Sequence, residues 1–355
     1  MKKIYTVHFA LIAILVFCFL FTGCTQKPIS LGSNDKVAVI ADSALWGKID
    51  SLVRKAIEKE RFTPQPERIF SIILHQPEKL AVLTRYPHIL FLGTLDQEGD
   101  TKQLLDNMLS PEARKKVEQD SLYIFQKNDP WSKNQLLIVL VSRDLPTLQK
   151  RLRENENSVF QIFDSDAQKL VHNQMYGKYE KKEIGKKLFK EHDWTVRVQR
   201  DFVLAMDSTE AKFVWLRRIN PQREFFVYWQ STNDPSILSR EWIIETRDNL
   251  TKDFYAGDFI FQDDDVKAID KIVDFRGRYA ILLDGVWQNE KHMIGGPFRS
   301  YAFYDESQGR LYLVDSSVFA PGEHKWPYMR QVIAMANTFR TDNDRQDMDE
   351  TGGAE

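Results

Sequence analysis

Cysteine is almost missing from this sequence: Cys18 and Cys24 are the only two in 355 residues. Both lie near the start, where Lys2 and Lys3 precede an apolar run from Phe9 to Phe21 and small Thr22 and Gly23. That arrangement is a secretory leader. The run is shorter than the roughly 20 residues a helix needs to cross the hydrocarbon core, which argues against a transmembrane anchor. Cleavage before Cys24 leaves one cysteine in the mature chain, which excludes an internal disulfide and a zinc–thiolate site. Excess charge of one sign is also missing. Without Lys2 and Lys3 the chain has 47 basic and 51 acidic residues, and six of the acids (Asp342, Asp344, Asp347, Asp349, Glu350, Glu355) fall after Thr341. The folded body is close to neutral and offers no broad basic field for nucleic acid or anionic lipid. The helix-spaced zinc motifs His-x-x-x-His and His-Glu-x-x-His are absent, as is Gly-x-Ser-x-Gly.

What is present starts with Leu20-Phe21-Thr22-Gly23-Cys24, which resembles a bacterial lipobox. The residue before the cut in that motif is Gly or Ala, and the cysteine after it receives diacylglycerol; Phe21 departs from the usual Leu. The resemblance implies lipidation at Cys24 and leaves the mature chain no free thiol. One acyl chain holds a protein only marginally, whereas several on one residue hold it firmly. Thr25 is not the Asp that retains lipoproteins in the inner membrane, and Thr25-Gln26-Lys27 lacks the acidic cluster of surface export. These features imply an outer-membrane protein facing the periplasm, with the membrane as one partner through acylated Cys24 and an envelope protein as another.

The mature chain divides by pattern. After a leader (1–23), residues 24–36 are polar with Pro28 and Gly32 and read as a lipidated tether. Residues 37–176 read as an α/β half. Val37–Ile40 is a buried strand, Asp42 or Ser43 caps a helix with an apolar stripe from Leu45 to Ile57, and a strand follows at Ile69–Leu74. A short helix at Glu78–Thr84, strands at His88–Leu92, Leu122–Gln126 and Gln135–Val141, a helical stretch Thr101–Gln119, and helices opening at Asp144 and Ser158 complete it. Residues 177–193 alternate Lys and Glu and read as a charged connector, a solvated helix.

Residues 194–340 change to antiparallel strands at Trp194–Met206, Ala211–Arg217 and Glu224–Gln230, then a helix from Ile237 to about Thr251. Strands at Arg278–Trp287, Phe298–Tyr304 and Arg310–Val314 and a helix at Pro327–Phe339 repeat that order, giving two βββα runs that suggest a duplication. Residues 341–355 read as a disordered acidic tail. The fold class expected is α+β, a two-part mature chain with a βα-type first half and a mostly antiparallel second half.

Several short stretches also carry a resemblance: Val37–Ile40 with Asp42 and Leu45-Trp46, Pro64-Gln65-Pro66-Glu67, Arg85 with His88-Ile89-Leu90, Gly285-Val286-Trp287, Gly295-Gly296-Pro297-Phe298 and Met329-Arg330-Gln331. In this order they resemble a lipoprotein family of Bacteroidota-type bacteria, domain of unknown function number forty-eight thirty-seven, over nearly the whole mature chain. The resemblance implies periplasmic exposure and one co-inherited unit, and it brings no activity or catalytic residues.

No cofactor, metal or catalytic residue is assigned. Glu290 and His292 sit two apart and read as an exposed turn, and Asp263-Asp264-Asp265 lacks the alternation and glycine of a calcium loop. Gly295-Gly296-Pro297 reads as a tight turn, since a strand and not a helix follows it. Asp284, His292 and Ser300 form a triad only if the fold gathers them. Trp215, Phe225, Phe226, Tyr228, Trp229, Tyr301, Phe303, Tyr304 and Tyr312 crowd the second-half strands; they read as packed core, against the sharper reading of an exposed aromatic platform. The function expected is a non-enzymatic envelope module that binds a partner or ligand through the second half or the interface between halves. The alternative is an envelope hydrolase with a dispersed polar site.

Overall fold

The computed structural model describes residues 27–76, 85–177, 179–255, 257–262, 267–342 and 344. The leader, Cys24, the expected helix Glu78–Thr84, Asp263–Asp265 and the tail beyond 344 lie outside the described residues.

The first half runs β1 (Lys36–Ile40), α1 (Ser43–Ile57), β2 (Glu60–Phe62), β3 (Pro66–Arg68), β4 (Ser71–His75), β5 (His88–Thr94), α2 (Asp100–Met108), α3 (Pro111–Glu118), β6 (Ile124–Asn128), β7 (Leu136–Ser142), α4 (Leu145–Glu154) and α5 (Glu156–Tyr176). Five strands form one sheet in the order β4-β1-β5-β7-β6, parallel except for the β6 edge. β5 and β7 are buried along their whole length, as a parallel sheet covered on both faces requires. Asp42 and Asp144 accept from the N–H groups of Leu45 and Thr147, each at 2.8 Å, and so start α1 and α4. The helical stretch 101–119 is two helices, because Ser110 caps a new one whose first residue is Pro111.

The second half runs α6 (Lys182–His192), β8 (Trp194–Thr195), β9 (Val203–Ser208), β10 (Phe213–Arg218), β11 (Gln222–Ser231), α7 (Arg240–Phe254), β12 (Phe259–Phe261), β13 (Ile269–Phe275), β14 (Arg278–Asn289), β15 (Ile294–Asp305), β16 (Arg310–Phe319), α8 (Trp326–Ala336) and β17 (Arg340–Thr341). Its eight-stranded sheet is antiparallel throughout, in the order β12-β14-β15-β16-β11-β10-β9, with β13 beside β14. The fold is α+β with a mostly antiparallel second half.

Several local expectations change. Trp194–Met206 is not one strand: β8 pairs with β17, and Val196, Val198 and Phe202 fill the core before β9 begins. Gly295, Gly296 and Pro297 lie inside β15, opposite Gln288, Trp287 and Val286, and the turn falls earlier, at 290–293. Both βββα runs exist, and their third strands β11 and β16 pair directly. A two-fold axis normal to the sheet would put both helices on one face. Instead α7 packs on the face of Phe213, Phe226 and Leu313, and α8 on the face of Phe225, Val227 and Tyr312.

One apolar core joins the halves. It runs from the first sheet through α1, α4 and α5 to α8 and on to the second sheet. The layers are α2 and α3, the first sheet, then α1, α4 and α5, then α8, the second sheet and α7. The strand aromatics serve this packing: Phe225, Phe226, Phe303 and Tyr312 are at most 1% exposed. An open aromatic platform is therefore not what they build.

The polar stretch before β1 also departs from a free tether. The N–H of Lys133 donates to Pro28 O (2.8 Å), that of Ser30 to Lys133 O (3.0 Å) and that of Leu31 to Arg85 O (2.8 Å). The loops entering β5 and β7 present backbone groups that need partners, and residues 28–31 satisfy them.

Two glycines test the packing in opposite directions. A Cβ on Gly296 would lie 1.9 Å from Val318 O, so Gly296→Ala should force β15 from β16 and cost about 1–3 kcal/mol. Gly47, within α1, meets nothing within 4 Å. Gly47→Ala should stabilise by roughly 0.5–1 kcal/mol. Urea midpoints of the two variants check both signs.

Candidate functional site

α8 is mostly apolar and packs between α5 and the second sheet, yet it has no side-chain cap of its own. The first N–H groups of any helix need acceptors. Here Glu67 supplies them from the first half: its carboxylate accepts from Lys325 N at 2.7 Å and from Trp326 N at 3.4 Å, and pairs with Lys325 Nζ at 2.9 Å. The β2–β3 hairpin through Pro64-Gln65 places that carboxylate. His324 sits between two acids of the first half, with Nε2 3.5 Å from Glu67 and Nδ1 3.6 Å from Asp35. Asp35, with Glu67 adding, holds the His324 pKa above its ordinary value, and His324 in turn holds that of Asp35 down.

One turn further along α8, Arg330 is 3% exposed. Its guanidinium donates to Asp164 Oδ1 at 2.6 Å and lies over the rings of Phe70 and Trp326. Burial pulls its pKa below the usual arginine value. Gln331 faces the other way and accepts from Arg223 of β11, whose pKa burial lowers to about 10. Met329-Arg330-Gln331 thus brackets the two halves.

Two clefts flank this seam. One, of about 240 Å³, is lined by Gly32–Asp35, Val171 and Gln174 of α5, and Pro327, Arg330 and Gln331 of α8. The other, about 430 Å³, lies between Pro64 and the β14–β15 hairpin, with Trp287, Asn289, Met293 and Gly295 in its wall. Three of the stretches singled out in the sequence, 64–67, 285–287 and 295–298, contribute to its wall, and 329–331 contributes to the smaller cleft.

The candidate triad does not assemble. Asp284 faces Arg299 across β14–β15, accepting at 2.6 and 2.7 Å. Ser300 is the next residue along, so it points to the opposite face, where it donates to Asp315 Oδ2 at 2.6 Å. His292 and Glu290 are exposed in the hairpin turn. Arg247 Nε shares that Asp315 oxygen at 2.9 Å, with both side chains 1% exposed. This pair ties α7 to β16, and nothing local marks it in the sequence, since its members are 68 residues apart. Beside it, burial raises the pKa of Glu224 to about 7 although Trp215 and Gln222 donate to it.

Among the described residues Glu191, His192 and Asp207 are near enough to share a metal ion. Lys187 Nζ already stands 2.6 Å from Asp207 and 3.5 Å from Glu191, so an ammonium supplies the positive charge there.

Three outcomes follow. Arg247→Met leaves Asp315 buried without its cation and should cost about 3–5 kcal/mol, measured by urea unfolding. A raised histidine stabilises fully below its unfolded value of 6.5 and loses that contribution as pH rises through the higher folded value. The stability difference between wild type and His324→Gln should therefore shrink on going from about pH 5 to pH 9. A raised carboxylate binds its proton in the folded state between 4.5 and about 7, so stability falls as pH rises across that window. Glu224→Gln should remove this slope, and an unchanged slope would refute the assignment.

Residues 30–176 match the family model Domain of unknown function (DUF8532), and residues 181–338 match Domain of unknown function (DUF4837). The expected family model is thus matched, over the second half and not over nearly the whole chain: the stretches at 285–287, 295–298 and 329–331 fall within it, and those at 37–46, 64–67 and 85–90 fall in the separate match to the first half. No curated protein matches the chain. Among solved structures, a Bacteroides thetaiotaomicron protein is 12% identical over 42% of this chain and 45% of its own length, with a TM-score of 0.25. This chain therefore spans less than half the length of that protein. The Saccharomyces cerevisiae Ran-binding protein Mog1p is 14% identical over 42% of this chain and 90% of its own, with a TM-score of 0.30. Mycobacterium tuberculosis LpqN, involved in cell envelope biogenesis, is 13% identical over 41% and 81%, with a TM-score of 0.27. Likeness at that level carries no inference about function. Residues 181–338, which match the family model Domain of unknown function (DUF4837), hold the eight-stranded sheet and α8.

Proposed function

We propose that this is a lipid-anchored protein of the bacterial cell envelope, held to the outer membrane through Cys24 and facing the periplasm, which binds a partner protein or small ligand at the seam between its halves. The observation that carries the binding part is the joint construction of the seam: Glu67 of one half caps α8 of the other, the smaller cleft has walls from both, and Pro64 of the first half edges the larger. An occupant there reads both halves at once. The anchoring part rests on Lys2–Lys3, the apolar run and Gly23-Cys24. No helix among the described residues is long and apolar enough to cross a membrane. The hydrolase alternative loses its named residues, because Asp284 and Ser300 point to opposite faces of the sheet.

Crosslinking of the lipidated protein in native membranes, followed by mass spectrometry, tests the binding reading. A stoichiometric envelope partner or retained ligand is expected, and Gln174→Arg, which fills the smaller cleft from an exposed position, should reduce its capture about tenfold. A protein that stays monomeric and empty would overturn the reading. Cys24→Ala should release the protein from membranes; equal retention would refute the anchor.

A further inference from the structure

We infer that the amino end of the first sheet is a membrane-contacting surface, which rests on the lipid head groups and places Ile29 and Leu31 at the hydrocarbon boundary. The inference rests on lipidation of Cys24. It deepens that reading by fixing how the body sits once anchored.

The first ground is distance. Pro28 is already bonded to the body through Lys133 N, so three residues, or four Cα-to-Cα steps, separate it from Cys24. At about 3.5 Å per residue the span is at most about 14 Å. An acylated cysteine lies at the interface, and the loops entering β5 and β7 cannot be farther from it than that. A free 12-residue tether would have imposed no such limit.

The second ground is what this end presents. Ile29 is 60% exposed and Leu31 67%, two of the largest exposed apolar side chains among the described residues, and they are two positions apart beside the anchor. Their backbone is held by Lys133 and Arg85, so the side chains project from a fixed base. Lys27, Arg85, Lys127 and Lys133 are exposed around them, and Trp131 is half-buried in the same loop as Lys133. Acids at this end are turned inward: Asp129 accepts from Gln135 N, and Asp35 pairs with His324. Apolar side chains ringed by cations with an aromatic beside them fit the interface of a bilayer containing anionic lipid. A body neutral overall can carry this local bias, because its charges are unevenly placed.

The test uses the full lipidated protein in vesicles of phosphatidylethanolamine with a minority of phosphatidylglycerol. Thioether-linked Cys24 does not react with maleimide, so Ile29→Cys, Leu31→Cys and, at the exposed opposite end of the sheet, Glu98→Cys each accept one environment-sensitive fluorophore. Labels at 29 and 31 should shift to the blue and be quenched by a lipid-borne quencher, while the label at 98 stays in water. Hydrogen exchange of the unlabelled protein supplies the same readout without substitution, with residues 27–35 slowing on vesicles relative to detergent. If the protein is acylated and vesicle-bound but all three labels stay in water, this inference is overturned and the anchor stands. If the protein lacks acyl chains and does not bind, both fall.

Discussion

The carboxylate of Glu67 at the N-terminus of α8 is the contact on which the rest of the molecule depends. α8 is mostly apolar and packs against both halves, so most of its residues are buried. That burial removes water from its first N–H groups, and an unsatisfied buried donor costs on the order of 1–3 kcal/mol. α8 has neither Ser, Thr, Asp nor Asn at its start; Lys325 stands there. The acceptor comes from 258 residues earlier in the chain, and its negative charge also faces the positive end of the helix dipole. The halves are joined by this cap, by the neighbouring polar contacts of His324 and Arg330, and by the apolar surface packed on α8.

That contact explains why the seam is charged although the core beneath it is not. Arg330 and Arg223 are both buried, and each leads to a different half: one to Asp164 on α5, the other from β11 to Gln331. Arg330 is buried while its partner Asp164 stays 38% exposed, and Arg223 meets a neutral amide, so these contacts act through their geometry more than through net charge attraction. Two sheets with greasy faces could slide against α8 in several registers. Arg330 between Phe70 and Trp326 admits one.

The sequence revealed elements wherever the deciding force was local. Asp42 and Asp144 announced their helices, since a cap and its N–H lie three residues apart. The alternation of β11, with Phe225 and Trp229 on one face, showed that both faces of that sheet would be covered. The failures have a common cause in distance along the chain. Glu67 and Met329-Arg330-Gln331 were visible as short stretches, but their meeting was not. Arg247 with Asp315 gave no signal, because a lone Arg on an amphipathic helix and a lone Asp in a strand each look solvated. Residues 28–31 looked like a linker because nothing in Pro28-Ile29-Ser30-Leu31 shows that β5 and β7 leave backbone groups open beside them. The second half was legible as antiparallel strands, whereas its helices on opposite faces could not be told from a repeat.

Anchor and seam are linked by the chain itself. Leu31 is followed directly by Gly32–Asp35, which form one wall of the smaller cleft, and Asp35 then pairs with His324. Within five residues the chain passes from the end of the first sheet to the latch between the halves. A body resting on lipid through Ile29 and Leu31 therefore holds that cleft beside the bilayer and not far out in solvent. On that proposal, a ligand of the cleft would meet the protein at the membrane surface, and acidic groups on it would compete with Asp35 for His324. On that proposal the same short segment both orients the body and lines the smaller cleft at its seam.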